Sequence, residues 1–355
     1  MKTQRLYSPS LIENRPLRPE DLPIPEPSAG QVRIKVDVCG VCHTDLHTVE
    51  GDIHPPYFPI TPGHQVVGVV DKVGNSPLCP SPYRVQADIS PEGGEPRPAP
   101  FGVGEGDRVG VPWLHSACGK CDYCQRGQEN LCPDAQFTGF HVDGGYGEYM
   151  LADARYVLPI PDSISDEQAA PLLCAGIVGY RALKRAEIQP GERVGLFGFG
   201  ASAHLMLQTL NYWGCEVAVY TRSAGHQQHA RDLGAVWVGE SSQNSGAWLD
   251  KAVVFAPVGE IAIRALESIR PGGIVSINAI HMSDIPSFPY ATLWGERQLR
   301  SVANATYQDG VEFLALAEKA GLESTVQVYP VAEVNRALVD MKHSRFNGEA
   351  VLRIS

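Results

Sequence analysis

The sequence predicts an α/β protein made of an antiparallel β domain and a doubly wound parallel-sheet domain. Between residues 30 and 150, short stretches of alternating apolar and polar residues are bounded by turn residues, which is typical of antiparallel strands. From about residue 164, apolar strand patterns alternate with helical ones, the order that produces a parallel sheet. At 355 residues with 43% hydrophobic content, the chain is long enough for two domains that each bury a core.

Four stretches with period-two alternation predict the strands of the first domain. They are QVRIKVDVCG (31–40), VVGVVDKVG (66–74), DRVGV (107–111) and GEYMLAD (147–153). Between the second and the third, residues 75–100 contain seven prolines and almost no periodicity. We expect an exposed surface loop there, which is either a tolerated insertion or a functional segment.

Buried strands that alternate with helices predict the second domain. The strands are expected at 193–200 (with its glycine turn), 216–222, 248–256, 273–280 and 299–305, and helices at 201–214 and 259–270. The tail is predicted to form helices at 311–322 and 331–343 and a last strand at 350–354, and to return to the first domain. The predicted boundaries are therefore 1–163 with 304–355 for the first domain, and 164–303 for the second.

Charge and hydropathy exclude two classes of partner. The net charge is -11, from 29 basic and 40 acidic residues, and there is no run of Lys or Arg. That balance argues against nucleic acid or an anionic membrane surface as a partner. The first 17 residues have no apolar core of the kind found in signal peptides, and no 18-residue apolar run occurs, so we expect a cytoplasmic protein.

Four cysteines within fifteen residues predict a structural zinc site. Cys118, Cys121, Cys124 and Cys132 have the spacing that lets one loop supply four thiolates to a tetrahedral zinc ion. The alternative, a disulfide cluster, belongs to small secreted domains. The predicted lobe spans residues 115–135. Among the other cysteines, Cys39, Cys79 and Cys215 are expected to be plain thiols.

A glycine turn predicts a dinucleotide site. Gly198, Gly200 and Ala203 make a G-x-G-x-x-A pattern, with Ala201 and Ser202 between them, directly after a predicted strand and at the start of a helix. The first glycine permits the tight turn and the second lets a pyrophosphate approach the backbone. The alanine allows close helix–strand packing, and the helix N-terminus faces the anion.

The end of the following strand predicts which dinucleotide binds. An acidic residue there would hold the ribose 2′-hydroxyl of NAD(H), but the strand ends in Thr221, Arg222 and Ser223. An arginine beside two hydroxyl groups suits a 2′-phosphate, so the sequence favours NADP(H) over NAD(H).

A third group of residues predicts a catalytic metal site. Cys42, His64 and Cys174 offer two thiolates and an imidazole, a three-ligand set that leaves a fourth position open for substrate. Each alone is unremarkable, and a cysteine in an apolar run such as PLLCAG is usually a core residue. The combination with a dinucleotide fold and a separate four-cysteine site carries the prediction.

These motifs together resemble the zinc-dependent alcohol dehydrogenases of the medium-chain dehydrogenase/reductase superfamily. The segments that carry the resemblance are CGVCHTDLH, PGHQVVGVV, CGKCDYCQRGQENLC, GGYGEYM, APLLCAGIVGYRAL, GFGASAHL and AVLRI. It covers the chain except residues 75–100, and it implies a GroES-like catalytic domain and a Rossmann cofactor domain. It also implies two zinc ions per chain, a catalytic one on Cys42, His64 and Cys174 and a structural one on the four-cysteine lobe.

The resemblance also implies roles for residues around the metal and the cofactor. Asp45 would accept a hydrogen bond from His64, and Thr44 and His47 would carry the alcohol proton to solvent by way of the cofactor ribose. His43 would lie near the pyrophosphate. Trp113 would line an apolar substrate pocket, although a plain core aromatic residue is the alternative. Three residues after the fifth parallel strand would lie beside the nicotinamide: Ala279, Ile280 and His281.

Two positions depart from the family pattern. The family usually has glutamate after the ligand histidine, where this chain has Gln65. Many relatives carry an arginine near the cofactor phosphates at the position of Glu349. Both departures concern the details of turnover and leave the expected reaction class unchanged.

The expected function is hydride transfer between a primary alcohol, or the corresponding aldehyde, and NADP(H). The alternatives are an NAD-preferring alcohol or polyol dehydrogenase and a non-enzymatic NADPH-binding regulatory protein on the same scaffold. All three catalytic ligands are present, which argues against the last. The expected partners are a small-molecule alcohol or aldehyde and further copies of the chain, in a dimer or tetramer.

Overall fold

The computed structural model describes residues 1–74 and 103–354. The predicted loop at 75–100, and Cys79 within it, lie outside the described residues. No helix in the described ranges is long and apolar enough to cross a membrane.

The described elements, numbered in chain order, are as follows. The strands are β1 (Lys2–Leu6), β2 (Leu17–Asp21), β3 (Gln31–Val41), β4 (Val66–Val73), β5 (Arg108–Val111), β6 (Leu114–Ser116), β7 (Gln136–Phe137), β8 (Tyr149–Asp153), β9 (Leu158–Pro159), β10 (Arg193–Phe197), β11 (Glu216–Tyr220), β12 (Trp237–Gly239), β13 (Leu249–Val254), β14 (Ile269–Ile277), β15 (Gln298–Ser301), β16 (Val326–Pro330) and β17 (Glu349–Arg353). The α-helices are α1 (His43–Glu50), α2 (Asp122–Gln125), α3 (Asp166–Pro171), α4 (Ile177–Arg185), α5 (Ala201–Tyr212), α6 (Ala224–Asp232), α7 (Gly259–Ser268), α8 (Tyr290–Leu293), α9 (Tyr307–Ala320) and α10 (Val334–Lys342). A π-helical turn spans Leu172–Gly176.

A seven-stranded sheet forms the first domain and is mostly antiparallel. Its strand order is β16-β17-β3-β4-β5-β9, with β8 pairing along β3. Alternate residues of β3 (Val32, Ile34 and Val36) are buried, as expected for a strand with one face on the core. The exception to the antiparallel prediction is β16, which pairs in parallel with β17.

A six-stranded parallel sheet forms the second domain. Its order is β12-β11-β10-β13-β14-β15, which in domain numbering is 3-2-1-4-5-6, the order of a dinucleotide-binding Rossmann fold. In such a sheet, ligands bind at the carboxyl ends of the strands, where the order reverses between β10 and β13. The predicted fold class is confirmed.

The tail returns to the first domain, as the sequence predicted. Strand β17 is inserted between β16 and β3, and Gly40 pairs with Val351 in antiparallel register. Helix α9 instead packs within the core that α4 and α5 share, where Phe313 is fully buried. The numerical domain boundaries stay a prediction.

Candidate active site

Three potential metal ligands from distant parts of the chain converge in the structure. The ligand atoms of Cys42, His64 and Cys174 all lie within 4.8 Å of one another. Cys42 is the N-cap residue of α1, and His64 lies two residues before the buried start of β4. Cys174 lies in the π-helical turn, an irregularity that is frequent at functional sites.

Asp45 orients this cluster through both of its carboxylate oxygens. Oδ2 accepts a hydrogen bond from the Cys42 amide at 3.0 Å, which caps α1. Oδ1 accepts from the Gly63 amide at 3.1 Å and lies 3.2 Å from His64 Nδ1. His64 therefore turns its Nε2 toward the two thiols. That Nε2 is buried and has no hydrogen-bond partner among the described residues.

The donor set fits a zinc ion. The Sγ atoms of Cys42 and Cys174 are 3.9 Å apart, and two thiolates on a tetrahedral zinc with bonds of ~2.3 Å would lie ~3.8 Å apart. The unpartnered Nε2 supplies the third donor, and its other ring nitrogen already has a carboxylate partner, the usual support of a metal-bound histidine. The hydrogen bond with Cys174 lowers the pKa of Cys42 well below its ordinary value, toward the thiolate that metals bind.

The four cysteines of the lobe also come together. The Sγ atoms of Cys118, Cys121, Cys124 and Cys132 lie within 4.8 Å of one another, and those of Cys118 and Cys124 are 3.9 Å apart. The backbone amides of Lys120 and Cys121 lower the pKa of Cys118 to about 6, which favours its thiolate. None of the described cysteines forms a disulfide, so the arrangement fits a tetrahedral metal and not the disulfide alternative.

The lobe is attached to the junction between the two domains. Asn130 Nδ2 donates to the Ala303 carbonyl at 2.7 Å, and the Tyr307 amide donates to Glu129 Oε1 at 2.8 Å. The chain passes from β15 of the cofactor sheet to α9 at this point. The four-cysteine cluster therefore supports the region where the domains meet.

A row of polar groups leads away from the metal cluster along α1. Thr44 Oγ1 lies 3.7 Å from Cys42 Sγ, and His47 follows one turn later. His47 Nδ1 is 2.8 Å from Asp52 Oδ2. Asp52 was not among the predicted site residues. Its position just after the glycine that ends α1 was the available signal, because the chain turns back there toward the helix.

Trp113 lies beside the metal cluster. Its ring is 6.0 Å from that of His64 and stacks at 4.5 Å on Phe137, which the sequence analysis did not single out. Trp113 and Cys174 line the same small cavity. The tryptophan therefore forms an apolar wall next to the ligands, in the place expected for a substrate pocket.

Gln65 and Glu349 are buried together behind the cluster. Gln65 has no exposed surface and Glu349 is 4% exposed. Neither end of the Gln65 amide and neither carboxyl oxygen of Glu349 has a hydrogen-bond partner among the described residues. Burial and the charge of Cys42 raise the pKa of Glu349 well above its ordinary value, while Gln65 opposes the rise. Gly40 of β3 lies against Gln65, and a Cβ there would collide with Gln65 Oε1.

The glycine turn has open space where a pyrophosphate would bind. Gly198 has φ +96°, and a Cβ there would lie 2.8 Å from the Ala256 amide nitrogen, so the tight turn requires glycine. A Cβ at Gly200 would contact nothing within 4 Å. Gly200 is the N-cap of α5 and makes no side-chain cap, which leaves amides free for an anion. Ala203 is fully buried against the sheet, and Ala201 and Ser202 are half-buried.

The remaining predicted cofactor residues surround the carboxyl edge of the parallel sheet. Thr221 is buried at the end of β11, and Arg222 is exposed beside it with no ion pair in the parts of the chain that the structure describes. Ser223 also has a structural role, because its Oγ accepts a hydrogen bond from the His226 amide and caps α6.

The predicted nicotinamide contacts follow β14. Ala279 is half-buried, and Ile280 and His281 are exposed. His43, the first residue of α1, is exposed.

Comparison with known proteins agrees with this geometry. Residues 28–162 match the alcohol dehydrogenase GroES-like domain. The chain is 40% identical to a probable alcohol dehydrogenase of Mycobacterium tuberculosis (strain CDC 1551 / Oshkosh) over 355 residues, which are 100% of this chain and 97% of that protein. It is 34% identical to an alcohol dehydrogenase of Geobacillus stearothermophilus, over 96% of this chain and 97% of that one.

A solved structure with the same architecture is a cinnamyl alcohol dehydrogenase from Sorghum bicolor. Its TM-score is 0.84 at 26% identity, over 99% of this chain and 98% of that chain. The match extends over both domains, as do those of the two bacterial relatives. The chain belongs to the alcohol dehydrogenases of the medium-chain dehydrogenase/reductase superfamily.

Proposed function

We propose that this alcohol dehydrogenase holds two zinc ions and transfers a hydride between a primary alcohol, or its aldehyde, and NADP(H). The observation that carries the proposal is the convergence of Cys42, Cys174 and the unpartnered Nε2 of His64 in one buried cluster. Three donors leave a fourth position of a tetrahedral zinc open for substrate oxygen. The four-cysteine lobe supplies a closed set for the second ion.

The protein groups have separate tasks in this reaction. Zinc, when bound, acts as a Lewis acid that lowers the pKa of the alcohol. Asp45 holds the ring of His64 in one orientation, so that Nε2 is the donor that faces the site. The Thr44 hydroxyl and His47 receive the alcohol proton and lead it away from the cluster along α1. Trp113 keeps one side of the site apolar, which suits the carbon chain of an alcohol.

Metal content tests the two-site assignment. We expect two zinc ions per chain by native mass spectrometry, and one in each of the variants Cys174→Ser and Cys124→Ser. Cys215→Ser is the matched control and should keep both ions, because Cys215 is a buried thiol outside the two clusters. Alcohol oxidation should be lost in Cys174→Ser. One ion in the unchanged protein would contradict the assignment.

Arg222 supports the preference for NADP(H), since it is exposed at the end of β11 where an acidic residue would select NAD(H). A charge-assisted contact with phosphate contributes ~1.5–3 kcal/mol, so Arg222→Ala should raise the Kd of NADPH about 10- to 100-fold. The Kd of NADH should change little. Arg231→Ala, an exposed arginine at the far end of α6, is the control. An equal loss for both cofactors would show that Arg222 does not contact the phosphate.

The proposed homo-oligomer is supported by the surface near β15. This strand is an edge of the parallel sheet, and Tyr290 and Trp294 before it are 70% and 67% exposed. Unpaired edges and exposed aromatic residues are typical of interaction surfaces. Light scattering on the purified protein measures the assembly directly. The cytoplasmic location expected from the sequence stays a prediction.

A further inference from the structure

The cofactor domain places a histidine against the helix that carries the alcohol proton. The rings of His47 and His281 lie 5.6 Å apart between centroids, with their planes at 53°. His47 belongs to α1 of the catalytic domain, and His281 follows β14 of the parallel sheet. The two side chains therefore approach each other from the two domains.

Only one nitrogen of His47 is available toward His281. Nδ1 is already 2.8 Å from Asp52 Oδ2, and Nε2 has no hydrogen-bond partner among the described residues. The titratable groups placed against His47 in the described residues are Asp52, His43 one turn earlier on α1, and His281. Among the three, His281 is the group that comes from the other domain.

Exposure rises outward along the polar groups. Thr44 is buried, the His47 side chain is 21% exposed, and His281 is exposed. The ring centroids are 5.6 Å apart and no hydrogen bond joins the two rings in the described residues, so proton transfer between them requires a bridging water or a rotation of one ring.

We propose that His281 is the exit group of the proton route, taking the alcohol proton from His47 and giving it to solvent. The inference rests on the proposed dehydrogenase function. The N–H bond at Nε2 of His47 breaks as an N–H bond forms on the unprotonated nitrogen of His281, which then passes the proton to water or buffer. No electrons move in this step, and aldehyde reduction uses the same groups in reverse. Because the two histidines belong to different domains, the route is complete only when the domains hold them together.

The first test follows the rings themselves, in protein without cofactor or substrate. The ring nitrogen chemical shifts of His47, measured by NMR at one pH, should change in His281→Gln, because the replacement removes the neighbouring imidazole. They should stay unchanged in His343→Gln, a change at an exposed histidine beside Glu13. Chemical shifts of His47 that are the same in the unchanged protein and in His281→Gln would overturn the proposal.

The second test follows turnover. With a substrate whose chemical step is slow, His281→Gln should lower kcat for alcohol oxidation about tenfold near pH 6 and much less at pH 9, where hydroxide takes the proton. The KM of the alcohol should be unchanged, and added imidazole should restore kcat. A pH-independent loss without rescue would show a merely structural role. If the unchanged protein oxidises no alcohol, the proposed function fails; if it does and His281→Gln matches His343→Gln, only this inference fails.

Discussion

Asp45 shows how much of the site depends on one side chain. Its two oxygens hold the amide of Cys42, the amide of Gly63 and the ring of His64. Two of the three candidate ligands are thus positioned from one buried carboxylate. The role was predictable because the CHTD pattern places an acid at the third residue of a helix that begins after Cys42, where it can cap the helix start.

The burial of Gln65 with Glu349 leads to a prediction about charge. Gln65→Glu would place a second carboxyl group beside one whose pKa is already raised by burial. We expect the free energy of unfolding to fall by about 2 kcal/mol, because the new group is buried without a partner. The measurement is urea unfolding at neutral pH with zinc retained.

The exchange variant is the control for that prediction. Gln65→Glu combined with Glu349→Gln restores one acid and one amide, so it should recover more than half of the lost stability. A double variant whose loss equals the sum of the two single losses would show that the side chains act independently.

At the level of elements, the predictable strands are the long apolar ones. β3 and β4 were expected because apolar residues alternate along them, and β10, β11, β13 and β14 because they contain short continuous apolar runs. β1, β2 and β12 were not. The first two are largely polar in sequence, KTQRL and LRPED, and β12 has only three residues. β1 pairs with β2 and also with the backbone at Ile60 and Tyr146, and β12 pairs with β11 at the edge of its sheet. No local sequence pattern contains these contacts.

Helices α5 and α6 bring two histidines together in the interior of the cofactor domain. His204 is 1% exposed, its ring is 5.8 Å from that of His229, and its Nε2 accepts from the Thr325 amide. Burial, with the neighbouring His229, lowers the pKa of His204 to about 4. The neutral ring is therefore the form that fits the fold.

This depressed pKa predicts a loss of stability in mild acid. The folded value lies below that of an unfolded histidine, about 6.5, so the contribution is fully present above pH 6.5 and is lost as the pH falls toward 4. The loss amounts to at most about 3 kcal/mol. His204→Gln should flatten the pH dependence of the urea midpoint in this range, and His343→Gln should not. The same slope in both variants would show that His204 does not cause the loss.

The whole molecule depends on contacts between distant segments. The four cysteines of the lobe were predictable from their spacing, and Cys42, His64 and Cys174 from their combination with a dinucleotide fold. The meeting of Cys174 with Cys42, and of Glu349 with Gln65, depends on how the two domains and the tail pack. The same is true of the lobe, whose Glu129 and Asn130 bind the chain where it leaves the cofactor sheet. The sequence predicted the lobe and its four cysteine ligands, but it did not predict that the lobe contacts the chain between β15 and α9.

Glu129 tests whether the lobe supports the junction. It is 2% exposed and accepts from the Tyr307 amide, so Glu129→Ala leaves a buried amide without a partner. We expect a loss of about 1–3 kcal/mol in the free energy of unfolding, while Glu240→Ala, an exposed position, should be neutral. In the background of Cys124→Ser, which removes the metal from the lobe, Glu129→Ala should lower the free energy of unfolding by less. An undiminished cost there would mean that the junction is held without the metal.

The position of β17 has a consequence for how the protein is made. The ribosome produces β3 and β4 first and the whole parallel sheet next, and only after residue 353 can β17 pair with the end of β3 that leads to Cys42. The cofactor domain can therefore fold while the nascent catalytic domain still has an open strand edge, which is prone to pairing with other chains. Glu349 reaches the metal site with this strand, so the active centre is completed last.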